Sequence, residues 1–163
     1  MYGGSLYVGV IGRHSTPLQG RDCCDHNDAP AWSPDGKRIA FSGGVFNAFT
    51  DEYITSYVYV IGAKGGRVRQ VTPTTASNPS WSPDSRRIVF DDDHHIKVIN
   101  VDGSGLKTLL TARRGEYASN PAWSPDGHLI AFDYGNGIWT MSPNGSHPHM
   151  VIRNARDPAW KRG

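Results

Sequence analysis

One phrase is written three times along this chain. It reads "PAWSPDGKRIAF" from 30 to 41, "PSWSPDSRRIVF" from 79 to 90 and "PAWSPDGHLIAF" from 121 to 132. A fourth copy begins at Pro158 as "PAWKRG". The tryptophans Trp32, Trp81, Trp123 and Trp160 are therefore 49, 42 and 37 residues apart. Self-similarity at such a period means stacked supersecondary units, and it limits the fold more than any local propensity does.

Each unit parses in the same way. A short strand carries Pro-x-Trp. "SPDG" or "SPDS" follows as a turn, with Pro setting the first central dihedral and Asp35, Asp84 or Asp126 placed to accept from nearby amides. A second strand alternates through "KRIAF", "RRIVF" and "HLIAF". A third is predicted at "SYVYVIG", "HIKVINV" and "GIWTMSP", and a fourth, after glycine-bearing turns, at "RVRQVT", "LKTLLT" and "HPHMVI". In the second strands Ile39 and Phe41 face one way and Ala40 the other, and both faces are apolar. Strands of that kind are packed between sheets. Four short strands per repeat, each sheet needing cover on both sides, predict an all-β partial β-propeller. A three-layer sandwich would make the regular tryptophan spacing accidental. The tryptophans are expected as wedges between blades.

The predicted organisation is a single repeat domain over 1–163. It has a partial blade at 1–20, blades at about 28–75, 77–112 and 119–152, and a partial blade at 156–163. Such an arc exposes apolar faces and unpaired edges. Its ring is expected to be completed by a second copy, giving a homodimer or another homo-oligomer, or by sequence beyond this stretch. Head-to-tail association would give about seven or eight blade equivalents.

Composition agrees with this reading. Nineteen Gly and eleven Pro supply turns, and 37% hydrophobic residues support a modest core. Seventeen Lys and Arg against fifteen Asp and Glu give a net charge of +2, with no basic and aromatic stripe for nucleic acid. No apolar run is long enough to span a bilayer. The start, "MYGGSLYVGVIG", reads as an alternating strand and lacks the charged region of a signal peptide. Cys23 and Cys24 are adjacent, which is awkward for a disulfide and wrong for a structural zinc site.

The motif resembles the WD40-like repeat of the TolB C-terminal β-propeller family, P-x-W-S-P-D-G-x-x-I-x-F with a later glycine turn before L-T. The "LT"-like endings here are Val71–Thr72 and Leu110–Thr111. Ser85 departs from the pattern by replacing the turn glycine. So does the number of units, since propellers of this family close with roughly six or more blades. The resemblance implies a bacterial, periplasmic or secreted context and recognition of a protein partner at the channel mouth.

Three groups of residues are candidates for function. Ala29, Asn78, Asn120 and Asp157 each stand three residues before a tryptophan and directly before Pro. First strands line a propeller axis, so these residues are expected at the channel mouth. There they would hold water, an ion or a peptide end, or simply cap the strand entrances. A long connection at 42–56 carries Phe46, Phe49, Asp51 and Glu52 as a partner-contact loop or a lid. "DDDHH" at 91–95 offers Asp91, Asp93, His94 and His95 as divalent-metal ligands, though in a tight turn not all can converge. "DCCDHND" at 22–28 is a weaker set of the same kind.

No nucleophile elbow, zinc-protease motif, phosphate loop or nucleotide fingerprint is present. The expected function is a non-catalytic scaffold for protein–protein interaction that self-associates through its blade edges. The alternative is the propeller portion of a hydrolase or of a metal-dependent polysaccharide lyase. A third reading is a repeat protein whose role is assembly itself.

Overall fold

The computed structural model describes residues 7–8, 16–17, 26–47 and 52–161. Three four-stranded antiparallel sheets follow one another along the chain, and each is a simple meander. The first consists of β3 (His26–Trp32), β4 (Arg38–Asn47), β5 (Glu52–Gly62) and β6 (Arg69–Gln70). The second consists of β7 (Ser77–Trp81), β8 (Arg87–Asp91), β9 (His95–Asn100) and β10 (Lys107–Thr111). The third consists of β11 (Ala118–Trp123), β12 (Ile130–Tyr134), β13 (Gly137–Met141) and β14 (His149–Arg153). Ahead of them β1 (Tyr7–Val8) pairs antiparallel with β2 (Thr16–Pro17). The fold is all-β and incomplete as a propeller.

The repeated Ser-Pro-Asp turn explains why β3 returns as β4. Ser33 Oγ donates to Asp35 Oδ1 at 2.5 Å and accepts from the Arg38 N–H at 2.9 Å, while the Lys37 N–H donates to Asp35 Oδ1 at 3.0 Å. Ser82 with Asp84, and Ser124 with Asp126, repeat the arrangement. These serines are buried, so their hydroxyls supply partners that water cannot. The residue after the aspartate takes a left-handed φ: +67° at Gly36, +77° at Gly127 and +58° at Ser85. Ser85 keeps this costly conformation because the preceding blade holds it. Its Oγ accepts from the Asp35 N–H at 3.1 Å, and its carbonyl accepts from the Arg38 guanidinium at 2.7 Å.

Consecutive sheets pack face to face. Ala40, Val58 and Val60 of the first sheet meet Trp81, Ile88 and Phe90 of the second in one core. Val89, Ile96 and Val98, on the opposite face of that second sheet, meet Trp123, Ile130 and Phe132 of the third. Ile39 and Phe41 join Tyr59 and Ile61 on the other face of the first sheet. The period of two in β8 thus feeds both interfaces of the second sheet. Each fully buried Phe or Ile contributes about 1.5–3 kcal/mol.

Trp81 and Trp123 are wedges between sheets, 5% and 6% exposed. The Trp81 indole N–H donates to the Ala31 carbonyl of the sheet before it at 3.0 Å, and Trp160 does the same to Ala122 at 2.9 Å. Trp32 departs from the expectation and is 48% exposed. No four-stranded sheet precedes it among the described residues.

The connection expected at 42–56 is not a long loop. β4 and β5 run on through most of it, with Gly44 paired to Ser56 and Asn47 to Glu52. Beta-branched and aromatic residues favour the extension, and Gly44 allows it, since a Cβ there would lie 2.4 Å from the Thr55 carbonyl oxygen. The fourth strand of this sheet is shorter than predicted. The pairing continues past β6 through Val71 N–H to the Val58 carbonyl at 2.8 Å, and Thr72 Oγ1 accepts from the Val58 N–H at 3.0 Å.

Candidate functional site

The first strands β3, β7 and β11 break register at the same place, at Asp28/Ala31, Ser77/Ser80 and Ser119/Ala122. The residue before proline is left-handed in every unit, with φ of 49° at Ala29, 51° at Asn78, 52° at Asn120 and 57° at Asp157. Asn and Asp adopt this region more readily than other side-chain-bearing residues. The bulge turns one backbone N–H out of its own ladder and toward the preceding sheet.

Those N–H groups find acceptors on the preceding second strands, at the residue after the phenylalanine. Asn78 N–H donates to Ser42 Oγ at 3.0 Å, Asn120 N–H to Asp91 Oδ2 at 2.9 Å, and Asp157 N–H to Asp133 Oδ1 at 3.1 Å. The asparagine amides return the link within their own sheets. Asn78 Nδ2 donates to Asp91 Oδ2 at 3.0 Å and Asn120 Nδ2 to Asp133 Oδ2 at 2.9 Å, while Asn120 Nδ2 also reaches Asp157 Oδ1 at 2.8 Å. A polar chain therefore crosses each seam.

Asp91 and Asp133 are buried. Burial pushes the Asp91 carboxyl up to about 7, against the hydrogen bonds from Asn78, Asn120 and Asp93 that favour its charged form.

Ala29, Asn78, Asn120 and Asp157 line one open depression of about 260 Å³ together with the prolines that follow them. Further along the same strands, tryptophans, prolines and alanines of all four units line a groove of about 980 Å³. The four rim residues are thus brought together. The backbone N–H groups of Asn78, Asn120 and Asp157 and the side-chain amide N–H groups of both asparagines are engaged in the seams, and Ala29 adds no polar side chain.

The residues at 91–95 diverge. Asp91 is held in the seam. Asp92 accepts from Lys97 Nζ at 2.6 Å and lies 2.8 Å from His95 Nδ1, and these contacts hold its carboxyl below the ordinary range despite burial. Asp93 shapes the turn with φ of 69°. His94 stacks on Tyr117 with centroids 5.4 Å apart. Among the described residues no three His, Cys, Asp or Glu side chains gather as a metal-binding group. Phe46 lies in β4 and Glu52 in β5, on strands and not on a loop. Phe49, Asp51 and residues 22–25 of the Cys-containing segment lie outside the described residues.

Sequence reasoning missed the seam acceptors Ser42, Asp91 and Asp133. A signal existed, since each directly follows the Phe that ends the repeated phrase. It also missed the cations that cover the wedges. Arg38 lies 5.0 Å from the Trp81 ring centroid and Arg87 4.8 Å from that of Trp123, each six residues after the tryptophan of its own unit.

Comparison with known proteins agrees with this geometry. Residues 18–160 match the model of the TolB beta propeller domain. A TolB-type protein from Agrobacterium tumefaciens superposes with a TM-score of 0.74 at 22% identity, over 92% of this chain and 55% of that one. TolB from Acinetobacter baumannii gives 0.65 at 18% identity, over 91% and 38%. An oligogalacturonate lyase in complex with manganese gives 0.59 at 16% identity, over 74% and 40%. The chain thus spans about half or less of the length of these proteins, and the likeness is one of fold. No curated protein is similar enough in sequence to count as a match.

Proposed function

Because the chain belongs to the TolB beta-propeller domain family, we propose that it is a non-catalytic scaffold that binds a protein partner at the mouth of its axial channel. In this reading the arc becomes a ring through a second copy of the chain, or through further blades of the same kind. The supporting observation is the pair of depressions that gather equivalent first-strand residues from four successive units. In this reading they would form one wall of the channel. Peptide recognition suits such a wall, where prolines and tryptophans offer rigid apolar contact and little ordering entropy is lost. The family resemblance supports a periplasmic or secreted location. Among the described residues no helix is long and apolar enough to cross a membrane.

Light scattering in solution tests the ring. Twice the chain mass of 17.9 kDa supports closure by a second copy, and a single-chain mass removes it. A photo-crosslinking residue at Ala159, in the groove, tests partner binding against the same residue at Val151 on outer strand β14. Capture of one discrete protein from Ala159 alone supports the reading. Equal capture from both positions removes it.

A further inference from the structure

Two seams of one fold use the same arginine differently. At the first seam Arg38 covers Trp81 and donates to the Ser85 carbonyl at 2.7 Å and to Asp35 Oδ2 at 3.5 Å. Arg69 on β6 donates to the Val101 carbonyl beside it. Both cations there are engaged by the chain itself.

At the second seam Gly127 stands where Ser85 stands at the first. Its carbonyl accepts from the Trp123 indole N–H at 3.5 Å, whereas the Trp81 indole reaches back to Ala31. Arg87 makes no bond to the Gly127 carbonyl, unlike Arg38 to the carbonyl of Ser85. Arg87 keeps its place over Trp123, but its guanidinium forms no ion pair or side-chain hydrogen bond among the described residues. Asp84 is the acid that feels the Arg87 charge. It is held below the ordinary carboxylate range first by the Ser82 hydroxyl, 2.5 Å away, and pairs with that hydroxyl and the Arg86 N–H.

Arg87 opens instead onto a cavity of about 480 Å³ between the second and third sheets. Lys107 of β10 lines it too, with one of its ammonium protons on the Asn144 carbonyl at 3.2 Å. Ser142 and Asn144 complete the polar lining, and no carboxylate is among the lining residues. Asn144 Oδ1 already accepts from the Ser146 N–H at 2.9 Å, which leaves its Nδ2 as a donor. An arginine, a lysine, a serine and an asparagine thus line one cavity to which no carboxylate contributes.

We propose that this cavity is an oxyanion-binding site, taking a carboxylate or phosphate group on Arg87 and Lys107. Stacking on Trp123 pre-orients the guanidinium, so little rotamer entropy is lost when a bidentate pair forms. The site lies at a seam and not in the axial groove, so it stands whether or not a protein partner binds there.

The test is titration of the whole chain with inorganic phosphate and, separately, with succinate, at low salt. Binding is read by calorimetry and by the indole N–H resonances of the tryptophans. At least one anion is expected to bind and to move the Trp123 resonance while leaving that of Trp81 in place. Arg87→Gln is expected to weaken binding at least tenfold, with Arg38→Gln at the first seam as an unaffected control. Lys107→Gln, at an exposed position, is expected to weaken it several-fold and serves if the Arg87 variant does not fold. The stronger of the two anions identifies the group preferred. Failure of both anions to bind overturns the proposal, as does binding that persists unchanged in the Lys107 and Arg87 variants.

Discussion

The Asp91 carboxylate and the Asn120 backbone N–H meet at 2.9 Å across the seam between the second and third sheets. One buried acid thereby joins two blades, and Asn78 from its own sheet shares the same oxygen. The acid is raised to about 7 because burial outweighs those bonds. A carboxyl whose pKa is higher folded than unfolded stabilises the fold fully below its unfolded value, near 3.8. It loses that contribution as pH rises through about 7.

Stability is therefore expected to decline between about pH 4 and 7 by on the order of 4 kcal/mol at most, from this group alone. Asp91→Asn keeps the shape and an acceptor for Asn120, and removes that slope. Urea midpoints of both proteins across this range measure it. An identical slope in the variant would refute the assignment.

Trp81 combines burial, an indole bond to Ala31 and the cover of Arg38. Trp81→Ala is expected to cost about 3–5 kcal/mol, and Trp81→Phe distinctly less. The exposed Trp32 gives the internal contrast, with Trp32→Ala expected to cost under about 1 kcal/mol. Chemical denaturation of the three variants decides, and equal costs at both tryptophans would contradict the wedge.

Ser85 bears a left-handed φ of 58° and accepts from the Asp35 N–H through its hydroxyl. Ser85→Ala keeps the backbone cost and loses the bond, for an expected loss of about 1 kcal/mol. Ser85→Gly loses the same bond but relieves about 1 kcal/mol of backbone cost, so its net change is near zero. Thermal melts should rank glycine above alanine. The reverse order would mean that the hydroxyl and the strain are not the governing terms.

Asn120 holds Asp133 in its own sheet and Asp157 in the following unit. Asn120→Ala leaves the buried Asp133 short of a donor and puts alanine at φ 52°, at an expected cost of about 2–3 kcal/mol. Asn120→Asp should cost at least as much near neutral pH, because it sets three carboxylates together. Proteolysis after Arg153 or Arg156 should quicken in both variants as the 156–161 segment loosens. Unchanged cleavage would show that other contacts hold that segment.

Much of this molecule could be read from its letters. The four strands per unit, the Ser-Pro-Asp turns and the opposed faces of Ile39 and Ala40 are all local. Periodicity and turn chemistry act over a few residues, and the repetition multiplies a weak signal. The family followed from the same phrase. What no single unit contains is the seam. The bond from Asn120 to Asp91 joins residues that are far apart in the chain, and nothing within either segment announces the other. At the 91–95 turn the seam claimed Asp91, while Asp92 was claimed locally by Lys97 and His95. The expected loop at 42–56 became paired strand because pairing depends on a partner whose backbone lies close enough, as Gly44 lies to Thr55. The sequence by itself determined the repeating sheet. The tertiary structure decided which polar groups of successive sheets meet, because buried donors and acceptors are satisfied by whichever neighbour the packing presents.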